Sequence, residues 1–161
     1  MKKLFLLSVA LLGFAFASSA QEISTNAIGL RLGDSDGFGA EISYQHALGD
    51  NNRLELDLGL RSGNGYDGFK LAGLYQWVWL LDGNFNWFAG VGGGIGSYSF
   101  DNPFPNGDDS ETFIFAAGDI GIEYNFDIPL QLAIDARPEF GFGDFRDDLD
   151  FDIALSIRYQ F

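Results

Sequence analysis

The segment RLELDLGLR, residues 53–61, alternates without a fault. Leu54, Leu56, Leu58 and Leu60 share one side of an extended chain, and Arg53, Glu55, Asp57, Gly59 and Arg61 share the other. A period of two predicts a strand, and the pattern recurs along the chain. Period-two segments bounded by Gly, Asn, Asp and Pro predict eight strands, at about 24–33, 37–47, 52–61, 66–80, 85–99, 111–125, 129–142 and 148–161. Alternation alone does not say which face meets water. In a soluble sandwich the leucines fill a core, whereas in a membrane barrel they face lipid and the charges point inward.

The first twenty residues follow a different pattern. Lys2 and Lys3 precede an apolar run from Leu4 to Phe16, and Ser18-Ser19-Ala20 offers small residues before Gln21. The run is too short to cross a bilayer, so residues 1–20 read as a cleaved signal peptide and 21–161 as one domain. The chain has no cysteine, so an exported fold must do without disulfides. Removing the leader leaves 7 basic against 23 acidic residues, a net charge of −16. That balance argues against a nucleic-acid partner, which needs clustered Lys and Arg. No apolar stretch after residue 20 has the length of a membrane helix, so the remaining way to span a membrane is a closed barrel.

Two patterns favour lipid on the apolar face. Six of the seven mature cations fall on polar strand faces, leaving only Arg146 in a loop. With the facing carboxylates they form a nearly balanced set: Arg31, Glu41, Arg53, Glu55, Asp57, Arg61, Lys70, Asp119, Glu123, Asp135, Arg137, Glu139, Asp150, Asp152 and Arg158. An enclosed lumen rewards such pairing because an isolated buried charge is costly. The apolar face, in turn, carries Tyr44, Trp77, Trp79, Trp87, Tyr124, Phe126, Tyr159 and Phe161 near the ends joined by the short turns 47–52, 80–84 and 125–129. Amphipathic rings at one level predict an interfacial girdle. The fold class expected is all-β: an eight-stranded antiparallel up-and-down transmembrane β-barrel.

The closing segment FDIALSIRYQF is sharper still, with Ile157, Tyr159 and the terminal Phe161 alternating on one face. Here the chain resembles the small eight-stranded outer-membrane barrels, of the OmpX kind and the membrane domain of OmpA. The resemblance covers the whole mature chain. It implies a Gram-negative outer membrane, both termini in the periplasm, neighbouring lipid and lipopolysaccharide, and recognition of the last strand by the barrel assembly machinery. The implied role is structural: envelope integrity or surface interaction, around a lumen plugged by paired charges.

Other motifs carry less chemistry. In AGVGGGIG (89–96) no phosphate-loop spacing is met, and strand register puts Gly90, Gly92, Gly94 and Gly96 inward, making room for Phe113 and Phe115. His46, the sole histidine, falls at a short turn, away from where an outer-leaflet hydrolase would need a general base. No enzyme activity and no cofactor are expected. The outer loops are acidic, and Asp108, Asp109 and Glu111 are candidate ligands for a divalent cation. DSDG (34–37) begins like a calcium loop, but its twelfth position is Gln45. Two alternatives stay open: a narrow channel or small-solute transporter, and a soluble exported lipocalin-like barrel, whose interior would be apolar.

Overall fold

A computed structural model of the chain describes residues 23–33, 39–63, 66–100, 110–142 and 149–161. Eight strands run in chain order: β1 (Asn26–Leu32), β2 (Ala40–Ala47), β3 (Asn52–Gly63), β4 (Tyr66–Asp82), β5 (Phe85–Phe100), β6 (Ser110–Asn125), β7 (Leu130–Phe142) and β8 (Leu149–Gln160). Each pairs antiparallel with the next, and β8 returns to β1 to close a barrel. Closure satisfies both sheet edges, which an open sheet in hydrocarbon could not do. Asn26 and Phe161 seal the seam, each donating its backbone N–H to the other's carbonyl at 3.0 and 2.9 Å.

The turns at one end are short. Gly83 and Asn84 join β4 to β5, and Gly83 takes φ 54°, a left-handed conformation that favours glycine. Asn51 ties the β2–β3 turn to β4, its carbonyl accepting from Val78 N at 2.8 Å. At the other end β3 runs to Gly63, two residues beyond its predicted end. β3 and β4 stay paired through Ser62↔Asp67 and Gly63↔Tyr66. The Ser62 hydroxyl donates to Asp67 Oδ1 at 2.6 Å, and a cross-strand polar pair of this kind prolongs a ladder that composition alone marks as a turn.

Face assignment follows the alternation. Leu60, Ile134, Ile153 and Leu155 are 64, 54, 62 and 55% exposed on the outside, while Arg31, Asp57, Lys70 and Arg137 are fully buried inside. This is the reverse of a lipocalin-like barrel with its apolar interior. Among the described residues the ladder is irregular in two places: the β4–β5 register shifts between Leu80 and Asp82, and a second fault lies in the wall beyond. Between β6 and β7 the pairing lapses opposite Gly118 and Asp119, then resumes in the same register. Pro138, which has no N–H to give, lies at the lapse, and its ring packs where a side chain on Gly118 would stand.

Candidate functional site in the lumen

Thirteen of the fifteen charged residues placed on the inner face are buried, and Arg61 and Asp150 are half-buried toward the long-loop end. The inner row of β3 sets Arg53, Glu55 and Asp57 in line, and each reaches a different strand. Arg53 Nη1 meets Glu123 of β6 at 2.7 Å, and its Nε donates to Gln76 of β4 at 2.6 Å. Glu55 accepts from Arg158 of β8 at 3.1 Å and from Gln45 of β2 at 2.5 Å. Asp57 is bonded by Arg137 of β7, which also lies 3.3 Å from Glu41 and 3.6 Å from Glu55.

Arg31 on the short strand β1 is a second hub. Its guanidinium meets Glu41 at 2.9 Å, Asp135 at 2.5 Å and Asp152 at 2.5 Å, from three other strands. Lys70 of β4 meets Glu139 of β7 at 2.6 Å. A guanidinium suits the hub position because it presents five donors in a fixed plane, whereas an ammonium has three on one atom. These contacts pass from wall to wall across the lumen.

The lumen also has an apolar sector. Ala72, Leu74, Phe113, Phe115 and Ala117 form one buried cluster, and Val78, Phe88 and Ala133 a second, against which Ile23 packs. Cations lie over these rings: Lys70 Nζ is 5.1 Å from the Phe115 centroid and the Arg53 guanidinium 4.9 Å from that of Phe88. The glycines of β5 make the space. A Cβ at Gly96 would collide with the Phe113 ring, and one at Gly94 with Phe115 and the Leu71 carbonyl. Gly94→Ala is therefore expected to cost about 1–3 kcal/mol, read as a lowered urea midpoint in detergent, with Phe115→Leu recovering part of the loss.

A lumen recess of about 10 Å³ at the short-turn end is lined by Gln45, Arg53, Glu123, Asn125, Gln131 and Gln160, room for a single water. A much larger hollow, about 470 Å³, lies on the outer wall among Trp87, Ile120, Ile122, Ile134, Ala136 and Ile153.

The aromatic residues picked out in the sequence project outward at the short-turn end and touch one another. Trp79 stacks on Trp87 with centroids 4.3 Å apart, and Trp77 meets Tyr75 edge-on at 5.0 Å. Tyr124 contacts Phe126 at 4.7 Å, and Tyr159 stacks over Phe161 at 6.2 Å. The Tyr44 hydroxyl donates to Asn26 Oδ1 at 2.7 Å, beside the exposed His46, whose Nδ1 lies 2.9 Å from the same oxygen. His46 thus sits by the barrel seam, in contact with Asn26. Of the candidate cation ligands, Asp108 and Asp109 lie outside the described residues. Glu111 is an exposed strand residue of β6 opposite Tyr98, not part of a loop. Among the described residues no three acidic or histidine side chains are placed to hold a metal ion.

Sequence reasoning left several inward residues unnamed, among them Leu74 and Val78 of β4, Phe88 of β5 and Ile23, which precedes the first strand. No family model matches the sequence, and no curated protein matches it. Solved structures do. The N-terminal β-barrel domain of Pseudomonas aeruginosa OprF superposes with a TM-score of 0.60 at 12% identity, covering 84% of this chain and 95% of that one. Neisserial surface protein A gives 0.58 at 12% identity, over 84% and 94% of the two chains. Ail, the attachment invasion locus protein of Yersinia pestis, gives 0.55 at 18% identity, over 86% and 97%. At these identities the likeness is one of fold, and the chain has the closed eight-stranded barrel architecture of small outer-membrane proteins.

Proposed function

We propose that the protein is an integral outer-membrane barrel with an architectural role, in envelope integrity or surface interaction, whose lumen is plugged by paired charges. The observation that carries this reading is the combination of a charged, cross-linked interior with an apolar exterior ringed by aromatics at one end. Such a surface belongs in hydrocarbon with its aromatic belt at the interface. An eight-stranded barrel has an interior that side chains just fill, and here Arg31, Arg137 and Arg158 reach across it. Enzymatic activity is not part of this reading.

The surrounding partners are lipid and lipopolysaccharide, and the acidic long loops suit divalent cations that bridge to anionic headgroups. The final strand ending in Phe161 is the element offered to the barrel assembly machinery. The likeness in fold to Ail, an attachment invasion locus protein, supports surface interaction as the form the role takes. Purified protein reconstituted in planar bilayers is expected to show no stepwise conductance, while shifting on a detergent gel between heated and unheated samples. Discrete ion-conducting steps would favour the narrow-channel reading, and mature protein that stays soluble without detergent would remove the membrane reading altogether.

A further inference from the structure

The buried charges of the lumen do not balance. Among the described residues eight carboxylates are buried (Glu41, Glu55, Asp57, Asp119, Glu123, Asp135, Glu139, Asp152) against five cations (Arg31, Arg53, Lys70, Arg137, Arg158). Half-buried Arg61 and Asp150 offset each other. Seven of the eight carboxylates lie within 4.0 Å of a guanidinium or ammonium, some sharing one. Asp119 is the exception. It is 5% exposed, its Oδ2 accepts only from the neutral amide of Gln76, and its Oδ1 has no hydrogen-bond partner.

The groups around Asp119 make its position costlier. From β3 it faces Glu55, and from β7 both Asp135 and Arg137. Arg137 is already engaged by Asp57 and Glu41, while β4 supplies Gln76 and β5 only Gly90. An unpaired carboxylate beside two others in a closed, low-dielectric space is expensive. No cluster of three ligands is present there for a divalent ion.

We propose that Asp119 anchors a monovalent-cation site in the lumen, at which a proton or an alkali-metal ion supplies positive charge that the chain lacks. The site rests on the lumen being closed to bulk solvent, which conductance tests separately. Asp119→Asn is the informative variant, because it keeps an acceptor for Gln76 and removes one negative charge. Parent and variant, folded in detergent micelles, are unfolded with urea from about pH 6 to pH 9, in sodium chloride or in choline chloride at equal ionic strength. In choline chloride the parent's unfolding rate is expected to rise about tenfold more than the variant's over this range. The same difference in both salts identifies the proton. A difference that sodium suppresses identifies the alkali ion. Equal pH slopes and equal salt responses in the two proteins overturn the proposal. Should the variant fail to fold, the parent alone gives the answer on refolding at about pH 6 in weakly buffered choline chloride. Uptake of about one proton per chain, or a sodium requirement for refolding, is expected. Refolding with neither proton uptake nor a sodium requirement would overturn the site.

Discussion

Replacing Arg31 with methionine is expected to destabilise the barrel by about 3–5 kcal/mol, because it leaves a buried charge cluster without its cation. The substitution keeps an unbranched side chain of similar reach, so lost packing is a small part of the effect. What remains behind is Glu41, Asp135 and Asp152, three carboxylates drawn together from β2, β7 and β8 by one guanidinium. Glu41 keeps Arg137 at 3.3 Å, so Asp135 bears the largest penalty. Urea unfolding in micelles, followed by tryptophan fluorescence, measures the loss. Adding Asp135→Asn and Asp152→Asn to the Arg31→Met chain should return more than half of it. A triple variant no more stable than the single one would show that Arg31 acts by filling space and not by pairing charge.

Leu56→Arg is expected to cost about 2–4 kcal/mol in lipid, the penalty for a cation on the outer face near mid-membrane. Leu56 lies in the middle of β3 on the outer row, between Tyr44 of β2 and Gly73 of β4. Gly73 has no side chain behind which the new cation could shelter, and neighbouring Leu58 and Leu71 are apolar. Leu56→Ala is the control for lost contact and should cost much less. Refolding into vesicles, with urea titration of the folded fraction, distinguishes the two. If Leu56→Arg folds as stably as Leu56→Ala, the outer row does not face hydrocarbon.

The division of residues between lumen and exterior was legible in the sequence because a strand's side chains alternate strictly. Knowing that Arg53 faced one way placed Glu55, Asp57 and Arg61 with it, and the same reasoning worked for β7 and β8. Strand count and order followed from turn spacing. Partnership inside the lumen was not legible. Nothing in the local sequence of Arg31 indicates Asp135 or Asp152, because those contacts depend on strand stagger and on how far each side chain reaches across the barrel. The balance of the inner charges was misleading for the same reason. Summed along the faces, Arg61 and Asp150 count like the rest, yet they sit half-exposed near the rim, and Asp119 is left without a cation. Strand ends were blurred where composition and pairing conflict, as in Ser62–Asp67, which has a loop's residues and a ladder's hydrogen bonds. Ile23 was hidden because it lies outside any periodic segment.

The seam between β1 and β8 sets a kinetic order for the whole molecule. The other seven strand pairs can form as hairpins between segments adjacent in the chain. The eighth joins Ala27 to Gln160 and Ile28 to Tyr159, and it waits until the last residues are present. Loop-closure entropy for that step is the largest in the structure, while its return is small, since β1 is only 7 residues long. Until it closes, β1 and β8 are both unpaired edges carrying alternating apolar side chains, the arrangement most prone to pairing with another chain. The newly made protein is therefore at greatest risk of aggregation in the interval just before its first and last strands meet.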